Sequence, residues 1–219
     1  MHIEENDKSW VFTQRHTERY DGFVAADSEH YYARYETVLD TVMELANLAP
    51  GKRVLDIGTG TGNLAMRCLA SGAHVVGVDP SEPMLARARE KVGQSPNAEF
   101  CQCPEPFLEL PYPDAAFDAV VSTYAYHHIP HRLKAKTARE MLRVLKPGGR
   151  WVVGDLAFEN EAAETKALQE FHWLEEEYFT RLDSLRRACA EFGIPLQARQ
   201  FTPVTWVFWA IKDKMDMDL

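Results

Sequence analysis

No run of this chain comes near the roughly 18 apolar residues that a membrane-crossing helix needs, so nothing in it reads as a span. Positive charge is in short supply: 24 lysines and arginines against 33 aspartates and glutamates leave a net charge of −9. Tight nucleic-acid binding leans on phosphate neutralisation, and this balance argues against it. The densest basic stretch, Arg132, Lys134, Lys136 and Arg139, reads as a solvated helix face. Cysteine is sparse as well. Cys68, Cys101, Cys103 and Cys189 match no common disulfide framework, and the Cys101-Gln102-Cys103 pair is too isolated for a zinc site. The thiols therefore read as free, and no metal is expected. The polar, charged start is unlike a secretory leader, which makes a cytoplasmic protein the expectation. Glycine is not abundant either, 12 residues in 219, yet three of them fall within five positions.

That cluster organises the rest. Val54-Leu55-Asp56-Ile57 is a short apolar run carrying an acid near its end, Gly58-Thr59-Gly60-Thr61-Gly62 is a glycine-dense turn, and Asn63-Leu64-Ala65 opens a stretch with helical spacing. The pattern predicts strand, tight turn, helix. Gly58 lets the chain leave the strand sharply, Gly60 lets a ligand approach bare backbone, and Gly62 is expected to let the helix pack close to the sheet. Ala73 to Asp79 reads as a second buried strand ending in an acid. Asp79 lies about twenty residues past the first glycine, the separation at which an acid grips ribose hydroxyls. A dinucleotide dehydrogenase and a binder of a nucleoside sulfonium both satisfy this spacing. Asp56 favours the second, because an anion at the strand tip repels a pyrophosphate and welcomes an ammonium. Asn63 also stands where GxGxxG requires its third glycine.

Taken together, the motifs resemble those of the class I S-adenosylmethionine (AdoMet)-dependent methyltransferases. Val54 to Ala65 resembles the family's first motif, Val75 to Leu85 its second, and Phe117-Asp118-Ala119-Val120-Val121-Ser122 its fourth strand. Leu142 to Arg150 resembles the turn before its fifth strand. Four motifs in the right order cover roughly residues 50 to 155. Beyond them the chain is similar to small bacterial methyltransferases of mostly unassigned substrate, through Tyr20-Asp21, Tyr178-Phe179 and Trp206.

The resemblance implies a Rossmann-like α/β fold. Its seven-stranded, mainly parallel sheet has one antiparallel strand, with helices on both faces. It also implies a cofactor set of Tyr20, Asp56, Gly58, Thr59, Gly60, Asn63, Asp79, Pro80, Met84 and Ser122. The family usually carries an aspartate after the third strand to read adenine. Here Cys103-Pro104-Glu105-Pro106 occupies that place, so Glu105 and Pro106 become the candidates.

The remaining chain gives coarser expectations. Tyr20-Asp21-Gly22 reads as a break, and the apolar spacing from Glu29 to Ala49 as a helix stopped by Pro50-Gly51. The third strand is expected at Ala98 to Cys101, a helix over Leu133 to Leu145, and the fifth strand at Arg150 to Asp155. Glu159 to Phe192 is expected to be helical in two pieces with a break near Thr180, followed by two strands around Pro203. The length suits one domain, 1–219. It comprises an N-terminal helical cap (1–49), an AdoMet-binding core (50–155) and C-terminal helices with a strand hairpin (156–219).

Ligands in open α/β sheets bind outside the carboxyl ends of the strands. The loop after the fourth strand, with Tyr126, His127 and His128, therefore supplies the candidate catalytic residues. The reading is an AdoMet-dependent methyltransferase acting on a small-molecule acceptor, as a monomer or homodimer with no nucleic-acid or membrane partner. An NAD-dependent oxidoreductase and a non-catalytic AdoMet-binding protein are the alternatives.

Overall fold

The structure is a computed structural model that describes residues 14–27, 29–104, 107–175 and 177–213. Two helices come first, α1 (Gln14–Ala26) and α2 (Tyr35–Ala46). An alternating series follows: β1 (Arg53–Ile57), α3 (Asn63–Ala70), β2 (His74–Asp79), α4 (Glu82–Val92), β3 (Ala98–Gln102), β4 (Phe117–Thr123), α5 (His131–Val144) and β5 (Leu145–Phe158). The chain then forms α6 (Glu161–Glu170), β6 (Thr180–Arg181), α7 (Leu182–Glu191), β7 (Gln197–Gln200) and β8 (Thr205–Ile211).

Seven strands form a continuous ladder in the order β3-β2-β1-β4-β5-β8-β7, and the two-residue β6 adds an eighth beside β5. The pairs from β3 through β5 are parallel, while β8 runs antiparallel to β5 and to β7. The order reverses between β1 and β4. This is the switch point where the loops leaving the two strands diverge and open a crevice.

Alternation along the strands divides the core between two faces. Leu55, Val76, Val120 and Trp151 pack with Met141 and Leu142 of α5 and Leu185 of α7. Val54, Val75, Ala119, Val121 and Val152 pack with Val38, Leu39 and Val42 of α2 and Leu64 and Cys68 of α3. Each valine, leucine and methionine side chain among these contributes roughly 1.5–3 kcal/mol by leaving water. Gly154 lets α2 sit close to the sheet, since a Cβ there would lie 2.6 Å from a Val38 methyl.

Several local readings need correction. Tyr20-Asp21-Gly22 lies inside α1 rather than breaking it. One interior glycine costs a helix only about 1 kcal/mol, and contacts of Asp21 with α3 and α4 hold the segment. The next helix starts at Tyr35, not Glu29. Asp27 accepts hydrogen bonds from the backbone N–H groups of Glu29, His30 and Tyr32, and this winds residues 29–33 into a turn. Arg34 then enters the left-handed region at φ 62°. The expected break near Thr180 is wider: the chain leaves helix after Glu170 and re-enters it at Leu182. β5 extends beyond Arg150–Asp155 at both ends, to Leu145 and Phe158.

Candidate active site

The β1–α3 loop lies at the sheet's switch point. Backbone N–H groups of Gly58 and Thr59 donate to Val78 O at 2.8 and 3.0 Å, binding the loop to β2. Gly58 has φ 67°, and a Cβ there would stand 2.3 Å from the Ala125 methyl, so only glycine lets the β1 and β4 loops meet. Gly60 also has positive φ, but an added Cβ would meet nothing within 4 Å. Its bare backbone faces open space. Gly62, at φ 84°, abuts Ala88 of α4 rather than the sheet, which corrects the packing role expected for it.

Two carboxylates stand at the strand tips. Asp79 accepts from Gly60 N at 2.9 Å and from Ser81 N at 2.8 Å. Burial outweighs both bonds and pushes its carboxyl up to about 6. Asp56 is fully buried and accepts from Thr59 Oγ1 at 2.7 Å. Its carboxyl is pushed up to about 7, by burial first and by the nearby Asp79 charge second. Both acids are costly to ionise without a ligand.

A cavity of about 300 Å³ opens over this loop. Gly58, Thr59, Gly60, Asn63, Asp79, Pro80 and Met84 line it, and so does Tyr20 of α1. Asp56 does not line it and reaches it only through Thr59. Ser122 stays behind the loop, where its Oγ donates to Ile57 O at 2.8 Å and fastens β4 to β1. Glu105 and Pro106 lie outside the described residues. Next to them, Cys103 N donates to Asp79 O at 3.1 Å.

α1 is held across the loop by a polar knot. Lys91 of α4 donates to Asp21 Oδ1 at 2.7 Å, Asn63 Oδ1 at 2.7 Å and Thr61 Oγ1 at 2.9 Å. Thr61 Oγ1 in turn donates to Asp21 at 2.7 Å. Burial raises the Asp21 carboxyl, but these donors together hold it below the usual range. Above the knot, Tyr32 packs on Tyr20, Tyr35 and Tyr124 with ring centroids 6.2, 5.8 and 5.0 Å apart. Burial raises all four phenols, Tyr32 and Tyr35 to about 12, so the cluster is uncharged at neutral pH.

The loop after β4 sorts the three candidate catalytic residues. Tyr126 is not at the cavity: its hydroxyl donates to Lys134 O at 2.7 Å, and its ring packs between Trp151 and Phe208. A short 3₁₀ turn over Tyr126–His128 sends the tyrosine into the core and both histidines to the cavity wall. His127 Nδ1 lies 2.6 Å from Asp155 Oδ1, and its backbone N donates to Asp155 Oδ2 at 2.9 Å. Asp155 is wholly buried at the end of β5. A carboxylate only accepts, so Nδ1 donates, and it is Nε2 that carries the lone pair when the ring is neutral. The His128 ring centroid lies 4.0 Å from that of His127 with the planes tilted by 51°, and burial drives its pKa well below the usual value. It is a neutral neighbour.

Tyr124, one of the two tyrosines expected in the loop after the fourth strand, does line the cavity, whereas Lys91, Asp155 and the cavity-lining Glu175 and Glu177 were not singled out from the sequence. Asp155 had a signal: like Asp56 and Asp79, it is an acid near the tip of an apolar strand. Among the described residues, no group of three or more His, Cys, Asp or Glu is placed to hold a metal ion. No helix among them is long and apolar enough to cross a membrane.

A profile for the methyltransferase domain family matches residues 54–149. An uncharacterised methyltransferase of Geobacillus sp. strain WCH70 is 36% identical over 205 residues, covering 88% of this chain and 92% of the relative. The chain belongs to the class I AdoMet-dependent methyltransferase family.

Solved structures share the fold. Phosphoethanolamine N-methyltransferase 2 of Haemonchus contortus, in complex with AdoMet, superposes with a TM-score of 0.73 at 19% identity, over 94% of this chain and 58% of that one. Magnesium protoporphyrin IX methyltransferase of Synechocystis PCC 6803, with bound S-adenosylhomocysteine, gives 0.70 at 18% identity, over 93% and 97%. Family membership sets aside the oxidoreductase alternative and makes AdoMet the cofactor. The methyltransferase cavity suits that cofactor on its own terms: it offers open space over Gly60, one desolvated acid, Asp79, for donors, a second, Asp56, behind Thr59, and uncharged aromatic rings.

Proposed function

We propose that this methyltransferase acts on a small-molecule acceptor, with His127 as general base. The observation that carries the reading is His127, backed by buried Asp155, in the wall of a cavity roofed by α1 and the tyrosines. When bound, AdoMet supplies an electrophilic methyl group on a sulfonium. In this reading the Gly58–Gly60 backbone and Thr59, backed by Asp56, hold the amino-acid end. Asp79 accepts from the ribose hydroxyls, and Pro80 and Met84 lie against the adenine.

Tyr20 and Tyr124 exclude water and keep the acceptor near the methyl, so that positioning supplies much of the rate. Nε2 of His127 takes the acceptor's proton, while Asp155 fixes the ring and stabilises the imidazolium. The helices before residue 50 serve as the roof. That roof favours a small acceptor over a folded macromolecule, because a side chain or base would have to pass under α1.

The test supplies the protein with methyl-labelled AdoMet and the dialysable and retained fractions of a cell extract. Label is expected in a dialysable product. Label confined to protein or nucleic acid contradicts the reading.

A further inference from the structure

The acceptor side of the cavity has a one-sided charge pattern. Tyr31, Tyr32 and Tyr124 present aromatic rings there, and Glu175 and Glu177 bring carboxylates from the segment between α6 and β6. This segment is tied to the roof: Glu175 N donates to Tyr31 OH at 2.7 Å, and Trp173 packs on Tyr31 with ring centroids 5.3 Å apart. Asp155 adds a third negative charge behind His127. Among the described residues, no lysine or arginine lines the cavity. Lys91, which reaches the glycine loop, is held by Asp21, Thr61 and Asn63.

A carboxylate or phosphate on the acceptor would be desolvated against like charge with no lysine or arginine among the described lining residues to neutralise it. A cation meets the opposite situation. Tyrosine faces carry negative quadrupole density, and an ammonium over them is attracted more strongly once water is excluded.

We propose, building on the small-molecule reading above, that the acceptor is an organic amine that enters as its ammonium. The rings and Glu177 recognise the charged form. Reaction requires the neutral form, and His127 supplies it. One N–H proton passes to Nε2, and the freed nitrogen lone pair forms the N–CH₃ bond. The S–CH₃ bond breaks with its electron pair remaining on sulfur, so charge and atoms balance, and the imidazolium releases its proton to solvent. Asp155 becomes the counter-ion of that imidazolium, which would otherwise face the departing positive charge alone.

The experiment uses the full chain saturated with S-adenosylhomocysteine and three probes of matched shape: phenethylamine, 2-phenylethanol and phenylacetate. Calorimetry is expected to show phenethylamine binding about tenfold or more tighter than phenylacetate, with the alcohol between. Glu177→Gln should narrow that gap while S-adenosylhomocysteine affinity stays unchanged. Glu175→Gln, at an exposed position, repeats the test if the first variant folds poorly. Phenylacetate binding as tightly as phenethylamine, or no binding of any probe, overturns the amine assignment. The small-molecule reading fails on a different result, label appearing only in macromolecules, so the two are separable.

Discussion

His127→Ala slows methyl transfer by about 10²–10⁴-fold, the range expected for loss of a general base, while S-adenosylhomocysteine affinity is unchanged. His127 sits on the β4 loop with Nδ1 against Asp155 and does not belong to the glycine loop. Its removal takes away the lone pair at the acceptor but none of the cofactor's supports. Asp155→Asn tests the orientation separately. An amide can offer its NH₂ to Nδ1, which moves the ring proton to Nε2 and removes the base without removing the ring. That variant should also lose turnover, with little change in acceptor KM. His128→Ala is the control. Burial keeps His128 neutral, so its loss should cost packing and little rate. Full turnover in His127→Ala, or an equal loss in His128→Ala, contradicts the assignment.

Asp79→Ala weakens S-adenosylhomocysteine binding by roughly 1.5–3 kcal/mol, since it removes charge-assisted acceptors for two hydroxyls. The same acid makes binding pH-dependent. Its folded value of about 6 exceeds the ordinary 3.8 because of burial. Without ligand, the folded protein therefore holds a proton there that the unfolded chain has released, and its contribution to stability declines as pH rises through that interval. Ligand hydroxyls favour the ionised form, so binding expels the proton and affinity rises between about pH 5 and 7. Asp56, raised to about 7, extends the effect upward if the ligand's ammonium lies near it. Calorimetry near pH 6 in two buffers of different ionisation enthalpy should show proton release in the native protein and less in Asp79→Ala. Asp79→Asn keeps the shape and controls for folding. Proton uptake on binding, or native affinity in a folded Asp79→Ala, places the ribose elsewhere.

The parts of this architecture legible in the sequence were those written locally. Short apolar runs ending in Asp56 and Asp79, with glycine turns after the first, specify strand, loop and helix within about thirty residues. The final hairpin around Pro203 was legible for the same reason. What escaped depends on distant partners. Asp21 and Lys91 are 70 residues apart, and nothing near either one announces the knot that carries α1 straight through Tyr20-Asp21-Gly22. The choice among Tyr126, His127 and His128 turned on the phase of a single 3₁₀ turn. A buried acid two elements away, Asp155, then separated the histidines. Glu175 and Glu177 lie in irregular chain where a helix was expected, so no periodicity pointed them inward.

The central claim is that one cavity, floored by the glycine loop and roofed by α1, houses the chemistry. Hydrogen–deuterium exchange with and without S-adenosylhomocysteine tests it most directly. Slower exchange is expected at the amides of residues 58–62 and 79–81, together with slower exchange in α1 and at Tyr31 to Tyr35. Protection of the loop without protection of α1 would contradict the roof, and protection confined to other strands' loops would contradict the site itself.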